Sequence, residues 1–254
     1  MAPYGVLARQ GVSFLLAAAL HGCAAAPPVR ILSSDRVKAR PVARAAWVGG
    51  WDAAMATALD GIHRELGHPR FRVALHLYRD REAFEAALLA SGYPVDFARA
   101  TARTMTAIGG HGRVLVNEGN LAAAPWERRL ALLAHELTHS LQYELGGGHR
   151  GTSDQWLREG FAEWVAVRVL ERLDAATLER ARYDAVAGVR GRARPLPALD
   201  AMATFPQWVA LGHGPHADGV YDLAFAAVDF LIRRHGRERA VRYFERFARS
   251  QDRA

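Results

Sequence analysis

A chain of 254 residues, half of them apolar, is long enough to bury a core of its own. Its single cysteine excludes an internal disulfide, so the fold must rest on packing and on any metal it holds. The formal charge of +7 comes from 33 basic residues, of which only Lys38 is lysine. They are spread along the chain with no nucleic-acid-binding motif, so no nucleic-acid partner is expected.

Residues 1–22 read as a secretory signal: Arg9, then the apolar run Gly11 to Leu20, then small residues, too short for a permanent membrane span. Removing Arg9, the segment's one charged side chain, leaves a net charge of 7 − 1 = +6. Leu20-His21-Gly22-Cys23 resembles a bacterial lipobox, which implies lipidation of Cys23 and a membrane anchor. Ala24, which is not an aspartate retention signal, then implies the outer membrane, facing the periplasm. The alternative is simple cleavage near Cys23, giving a soluble periplasmic or secreted product. The Ala/Pro/Arg-rich stretch that follows reads as a tether over residues 23–42, leaving 43–254 as one folded domain.

A helix is expected over Ala45 to Leu66, a half-buried strand over Phe71 to Tyr78 and a helix over Asp80 to Leu89. Two further strands, Thr104 to Ile108 and Arg113 to Asn117, are joined by Gly109-Gly110-His111-Gly112 in a hairpin-like connection. From Pro125 onward the pattern is mostly helical. Trp126, Leu130, Leu133, Ala134, Leu137, Leu141 and Leu145 recur at three- and four-residue steps. Pro125 suits the first turn, and Gly146 to Gly148 end the helix. Thr152 and Gln155 fit a capping box for the next helix, whose apolar positions are Trp156, Leu157, Phe161, Trp164, Val165, Val169 and Leu170. The alternation of Arg233 to Arg249 with Phe230, Leu231, Val241, Phe244 and Phe247 reads as the solvated face of amphipathic helices. The class is α+β, a small N-terminal sheet followed by a mostly helical half.

The first of those C-terminal helices carries His135-Glu136-Leu137-Thr138-His139. Positions i and i+4 share a helix face, so the two histidines can grip one metal ion, while Glu136 lies about 100° round the helix, placed to take a proton from a water on the metal. Nineteen residues separate His139 from Glu159, and Glu163 stands one turn beyond. A hydrolytic zinc takes three protein ligands, and Glu159 completes such a set. Glu163 can accept the free N–H of a ligand histidine. The plain alternative is that both glutamates are solvated helix charges.

Trp156-Leu157-Arg158-Glu159-Gly160-Phe161-Ala162-Glu163-Trp164, set after the His-Glu-x-x-His segment, resembles the Glu-Gly-x-Ala box of the gluzincin metallopeptidases. Over residues 70–250 the chain is most similar to the small bacterial peptidase MA-like proteins, although only the two motif segments are specific. The resemblance implies a thermolysin-like catalytic domain, zinc on His135, His139 and Glu159, Glu136 as general base, and peptide-bond hydrolysis. The thermolysin-like enzymes carry an aspartate where this chain has Glu163. The resemblance also implies an oxyanion-stabilising side chain before or at the start of a later helix, for which Tyr221, His213 and His216 compete. It further implies a sheet edge that pairs with substrate backbone, with either of the last two strands open to the part. His111 and His149 are left as surface residues.

The expected function is therefore zinc-dependent hydrolysis of peptide or protein substrates in a bacterial cell envelope, as an endopeptidase. The chain lacks room for the extra domains of the large aminopeptidases of that group, and nothing in it captures a free amino terminus. The rival is a non-catalytic, zinc-containing envelope lipoprotein that binds a protein partner; it would need the ligands but not Glu136.

Overall fold

The computed structural model describes residues 29–68, 71–191, 195–212 and 219–250. The signal segment, Cys23, His213 and His216 lie outside them.

Four strands form one mixed sheet in the order β1-β2-β4-β3. β1 (Val29–Ser33) runs antiparallel to β2 (Ala74–Tyr78), β2 parallel to β4 (Arg113–Asn117), and β3 (Ala107–Gly110) antiparallel to β4. β1 overturns part of the expected tether. Its five residues pair with Tyr78 through Ala74, yet Val29 and Ile31 stay exposed. Backbone bonds rather than side-chain burial hold it, and apolar periodicity cannot announce such a strand.

The helix expected from Ala45 is broken. A 3₁₀ turn covers Ala45–Trp47, Gly50 is fully extended, and α1 runs Trp51–Leu66 to a left-handed Gly67. α2 (Arg81–Ala90) starts where expected, because the Asp80 carboxylate accepts from the Ala83 N–H. α3 (Val95–Thr104) has no counterpart in the sequence reading and absorbs the start of the strand expected at Thr104. The Asn117 N–H still donates to the Thr106 carbonyl, so the ladder extends one pair past β3. Gly109 and Gly110 belong to the strand, which leaves His111-Gly112 as the turn, with Gly112 at φ 66°.

α4 (Trp126–Leu145) and α5 (Gln155–Glu171) carry the motifs. Pro125 caps α4 rather than sitting inside it, where its missing N–H leaves nothing unsatisfied. The expected Thr152 capping box is absent: α5 begins at Gln155 behind Asp154, which makes no side-chain cap. The remaining helices are α6 (Leu178–Arg190), α7 (Phe205–Gly212), α8 (Val220–His235) and α9 (Arg237–Glu245), the last two separated by Gly236 at φ 81°. No described helix is long and apolar enough to cross a membrane.

The main core joins α1, the inner faces of β2 and β4, α4, α5, α8 and α9. Leu130, Leu133, Ala134, Leu137, Leu141 and Leu145 of α4 are all buried, as their spacing requires. Each buried leucine stabilises the fold by about 1.5–3 kcal/mol. Two buried carboxylates tie the helices together. Glu65 of α1 meets Arg168, Arg172 and Arg237, and Asp229 of α8 meets Arg182 and Arg233. Arg233 and Arg237 reach these carboxylates from the largely exposed basic face, and Phe244 and Phe247 are buried beneath it.

Candidate metal centre

α4 lies between β3 on one side and α5 on the other, which places its polar residues in a seam rather than in solvent. His135, Glu136, His139 and Glu159 are each between 7% and 9% exposed, a level that polar groups tolerate only with partners. The partners are each other. His135 Nε2 lies 3.0 Å from His139 Nε2, and Glu159 Oε2 lies 3.3 Å and 3.4 Å from those two nitrogens. Two ligand atoms bound to one tetrahedral zinc at its usual bond lengths are separated by about 3.3–3.6 Å. The two sides that meet at Glu159 Oε2 match this, and the side between the two nitrogens, at 3.0 Å, is shorter.

Proton placement gives an independent test. Gln142 donates from Nε2 to the Arg158 carbonyl, which can only accept, so its Oε1 is the atom facing His139 Nδ1 at 3.0 Å. His139 Nδ1 therefore carries the proton and Nε2 the lone pair. His135 Nδ1 lies 3.1 Å from Glu163 Oε1, another acceptor, though its N–H is poorly aimed, so the contact is electrostatic rather than a full hydrogen bond. It too leaves a lone pair on Nε2. With both Nε2 atoms deprotonated, as metal binding requires, three lone-pair atoms face one point, and this is the donor set a divalent metal takes. Two nitrogens and a carboxylate oxygen are donors of the kind that first-row divalent metals take.

The Glu136 carboxylate is held off the triangle. The Gly109 N–H, on the side of β3 facing away from β4, donates to Glu136 Oε2. A Cβ at Gly109 would strike the Glu136 carbonyl oxygen and lie 3.0 Å from His139 Cβ, so only glycine lets the strand approach α4 this closely. β3 is an outer strand of the sheet, which resolves the open choice of edge in favour of the strand beside the helix. Ser140 Oγ donates to the Gly110 carbonyl 2.8 Å away and fixes the same contact.

Gly160 does for α5 what Gly109 does for β3. A Cβ there would fall on the Ala224 carbonyl of α8 and 2.8 Å from Val228 Cγ2. The glycine after Glu159 thus lets α8 pack against the ligand helix and brings Tyr221 toward the site. Tyr221 packs edge-on against Trp208 with ring centroids 4.9 Å apart. Burial, then the Glu159 carboxylate, then those of Glu163 and Glu136, hold its phenol well above the ordinary range, so it is a neutral O–H donor.

The electrostatics of the metal-free cluster follow the same geometry. Burial alone would raise the Glu159 carboxyl, but His139 and His135 outweigh it and hold the group well below the usual carboxylate range. Glu136, with burial dominant and the two histidines opposing, sits above its ordinary value. His135 is raised well above the ordinary imidazole value: burial opposes the shift, but Glu163, Glu159 and Glu136 prevail.

Two glutamines were missed by sequence reasoning. Gln142 fixes the His139 tautomer, and the Gln155 Nε2 donates to Glu159 Oε1. Both stand at helical spacing from a ligand, three residues after His139 and four before Glu159, which is the signal that would have found them. His111 and His149 are exposed, as expected. The chain matches no known family model, no curated protein and no solved structure.

Proposed function

We propose that the chain is a zinc metallopeptidase of gluzincin type, cleaving peptide or protein substrates. The observation that carries the reading is the convergence of donor atoms from His135, His139 and Glu159 beside a separately anchored carboxylate, Glu136. A zinc ion held by His135, His139 and Glu159 supplies Lewis acidity, polarising a peptide carbonyl and making a water acidic near neutral pH. Glu136 acts as general base and returns the proton to the leaving amine. With Oε2 held by Gly109, Oε1 is the oxygen left for that work. A brace built only to bind metal would need the three ligands but no Glu136, so its anchoring favours an enzyme over the partner-binding rival.

Two further groups complete the arrangement. The neutral Tyr221 O–H can stabilise negative charge developing on the carbonyl oxygen, a role worth about 10²–10³ in turnover where such donors have been removed. Outer strand β3 lies alongside the cluster with its Gly109 N–H given to Glu136, so strand pairing with an extended substrate falls to the rest of that edge, an arrangement that favours internal cleavage of a chain. With its signal-like N-terminus and Cys23, the enzyme would work in a bacterial envelope on a lipid anchor.

The test is Glu136→Gln. It should keep zinc stoichiometry and lose at least about 10²-fold in turnover on a pool of unstructured peptides. Wild-type turnover in that variant would overturn the reading.

A further inference from the structure

Several arginines of the helical half end on a buried carboxylate: Arg168 and Arg172 on Glu65, Arg182 on Asp229. Arg150 does not. It lies in the loop before α5 with its guanidinium 5.4 Å above the Phe205 ring, and it donates to the neutral side-chain oxygen of Gln155. A guanidinium has no acceptor atom, so this bond fixes the Gln155 amide: Oε1 toward Arg150, Nε2 toward Glu159. Gln155 Nε2 donates to Glu159 Oε1, and Oε2 is the oxygen turned toward the two histidines. Gln155 is anchored at its backbone too, because its N–H donates to the Ala203 carbonyl 2.8 Å away.

Glu159 has three rotatable side-chain bonds, and the two histidines contact only its Oε2, which leaves Oε1 to Gln155. Gln142 and Glu163 perform the corresponding service for the histidines. We infer that Arg150 and Gln155 form a relay that positions the third ligand, Arg150 setting the direction of the amide and the amide setting the carboxylate, so that Glu159 is pre-oriented for metal. This rests on the metal-site reading above. Both are positioning residues, since neither reaches the reacting atoms.

The experiment is zinc titration of the full chain against a chromophoric chelator, with melting of the metal-free protein recorded in parallel. Gln155→Leu should weaken zinc binding by about 10–100-fold, the usual effect of removing an outer partner of a ligand. Arg150→Met, which frees the amide to rotate, should also weaken it. Arg150→Lys, which keeps a donor, should stay within about threefold of wild type. Adding Arg150→Met to Gln155→Leu should cost nothing more, because the two act through one bond. The metal-free melting temperature should be unchanged in Arg150→Met, which separates positioning from a structural role. Zinc affinity within about twofold of wild type in Gln155→Leu would overturn the relay alone. So would equal weakening by Arg150→Lys and Arg150→Met, or a lowered metal-free melt in the latter. A wild type that takes up no zinc would overturn the metal site and the relay together.

Discussion

Gly160→Ala separates a packing requirement from a conformational one. Gly160 lies inside α5, and alanine is favoured over glycine in a helix interior by about 0.5–1 kcal/mol. Free of neighbours, the change would stabilise the protein. The added methyl, however, lands on the carbonyl carbon and oxygen of Ala224, which are backbone atoms of α8 and cannot rotate aside. α8 must retreat by roughly 1 Å, and a gap of 0.5–1 Å forfeits a quarter to a half of each dispersion contact along the seam. Overpacking of this kind costs about 1–3 kcal/mol, and a backbone obstacle belongs at the upper end. The net is a destabilisation of about 2 kcal/mol, or about 4–8 °C in melting temperature for a chain of this size. Melting in excess chelator isolates that term from metal binding. Zinc affinity should fall as well, because Glu159 is the preceding residue. Gly49→Ala, where a Cβ meets nothing within 4 Å, is the control. A Gly160→Ala melting temperature equal to or above wild type would refute the close α5–α8 packing.

Other perturbations probe different parts of the argument. Glu163→Ala should weaken zinc binding by about 10–100-fold without changing the metal-free melt, checked by the same chelator competition. Glu65 is held below its ordinary value, with Arg168 and Arg172 overcoming the effect of burial. Its stabilisation is therefore fully present above about pH 4.5 and is lost as pH falls through the lower folded value. Glu65→Gln should be less stable than wild type by about 1–3 kcal/mol at pH 7, a range reduced because its arginine partners are partly exposed. The gap should close on acidification; denaturant melts showing one constant gap from pH 7 to pH 3 would count against this account. Cys23→Ala should move the protein from the detergent-extracted membrane fraction to the soluble fraction of expressing bacteria, and unchanged partitioning would remove the lipid anchor from the proposal.

The helical half was legible because α4 and α5 obey the rule that makes sequence readable: apolar side chains at three- and four-residue steps facing one core. Leu130 through Leu145 and Phe161 through Leu170 are buried where that pattern puts them. The N-terminal half obeys it less. α3 buries only alanines and Thr101, residues whose small size gives no apolar signal. β1 leaves Val29 and Ile31 in solvent and is held by main-chain bonds to β2, so no side-chain pattern marks it. The helix expected from Ala45 failed at Gly49-Gly50, where the extended backbone of Gly50 outranks the apolar residues on both sides.

The site divides along the same line. The ligands were readable because each belongs to a helix whose periodicity fixes which residues share a face, and His135, His139 and Glu159 converge as that geometry requires. What encloses them was not readable, because it depends on elements distant in sequence meeting at specified atoms. Gly109 precedes Glu136 by twenty-seven residues, and its contribution is a backbone N–H and a missing Cβ, neither of which has a residue signature. Gly160 is a different case: its place in the Glu-Gly-x-Ala box marked it by resemblance, and only the packing of α8 supplies the physical reason. Arg150 is visible only through the glutamine it turns. The ligand set therefore reports that a metal can be held, whereas these unsigned contacts determine how firmly each donor is aimed. Substitutions at Gly109, Gln155 and Gly160 should consequently change metal affinity and turnover in a protein whose sequence motifs remain intact.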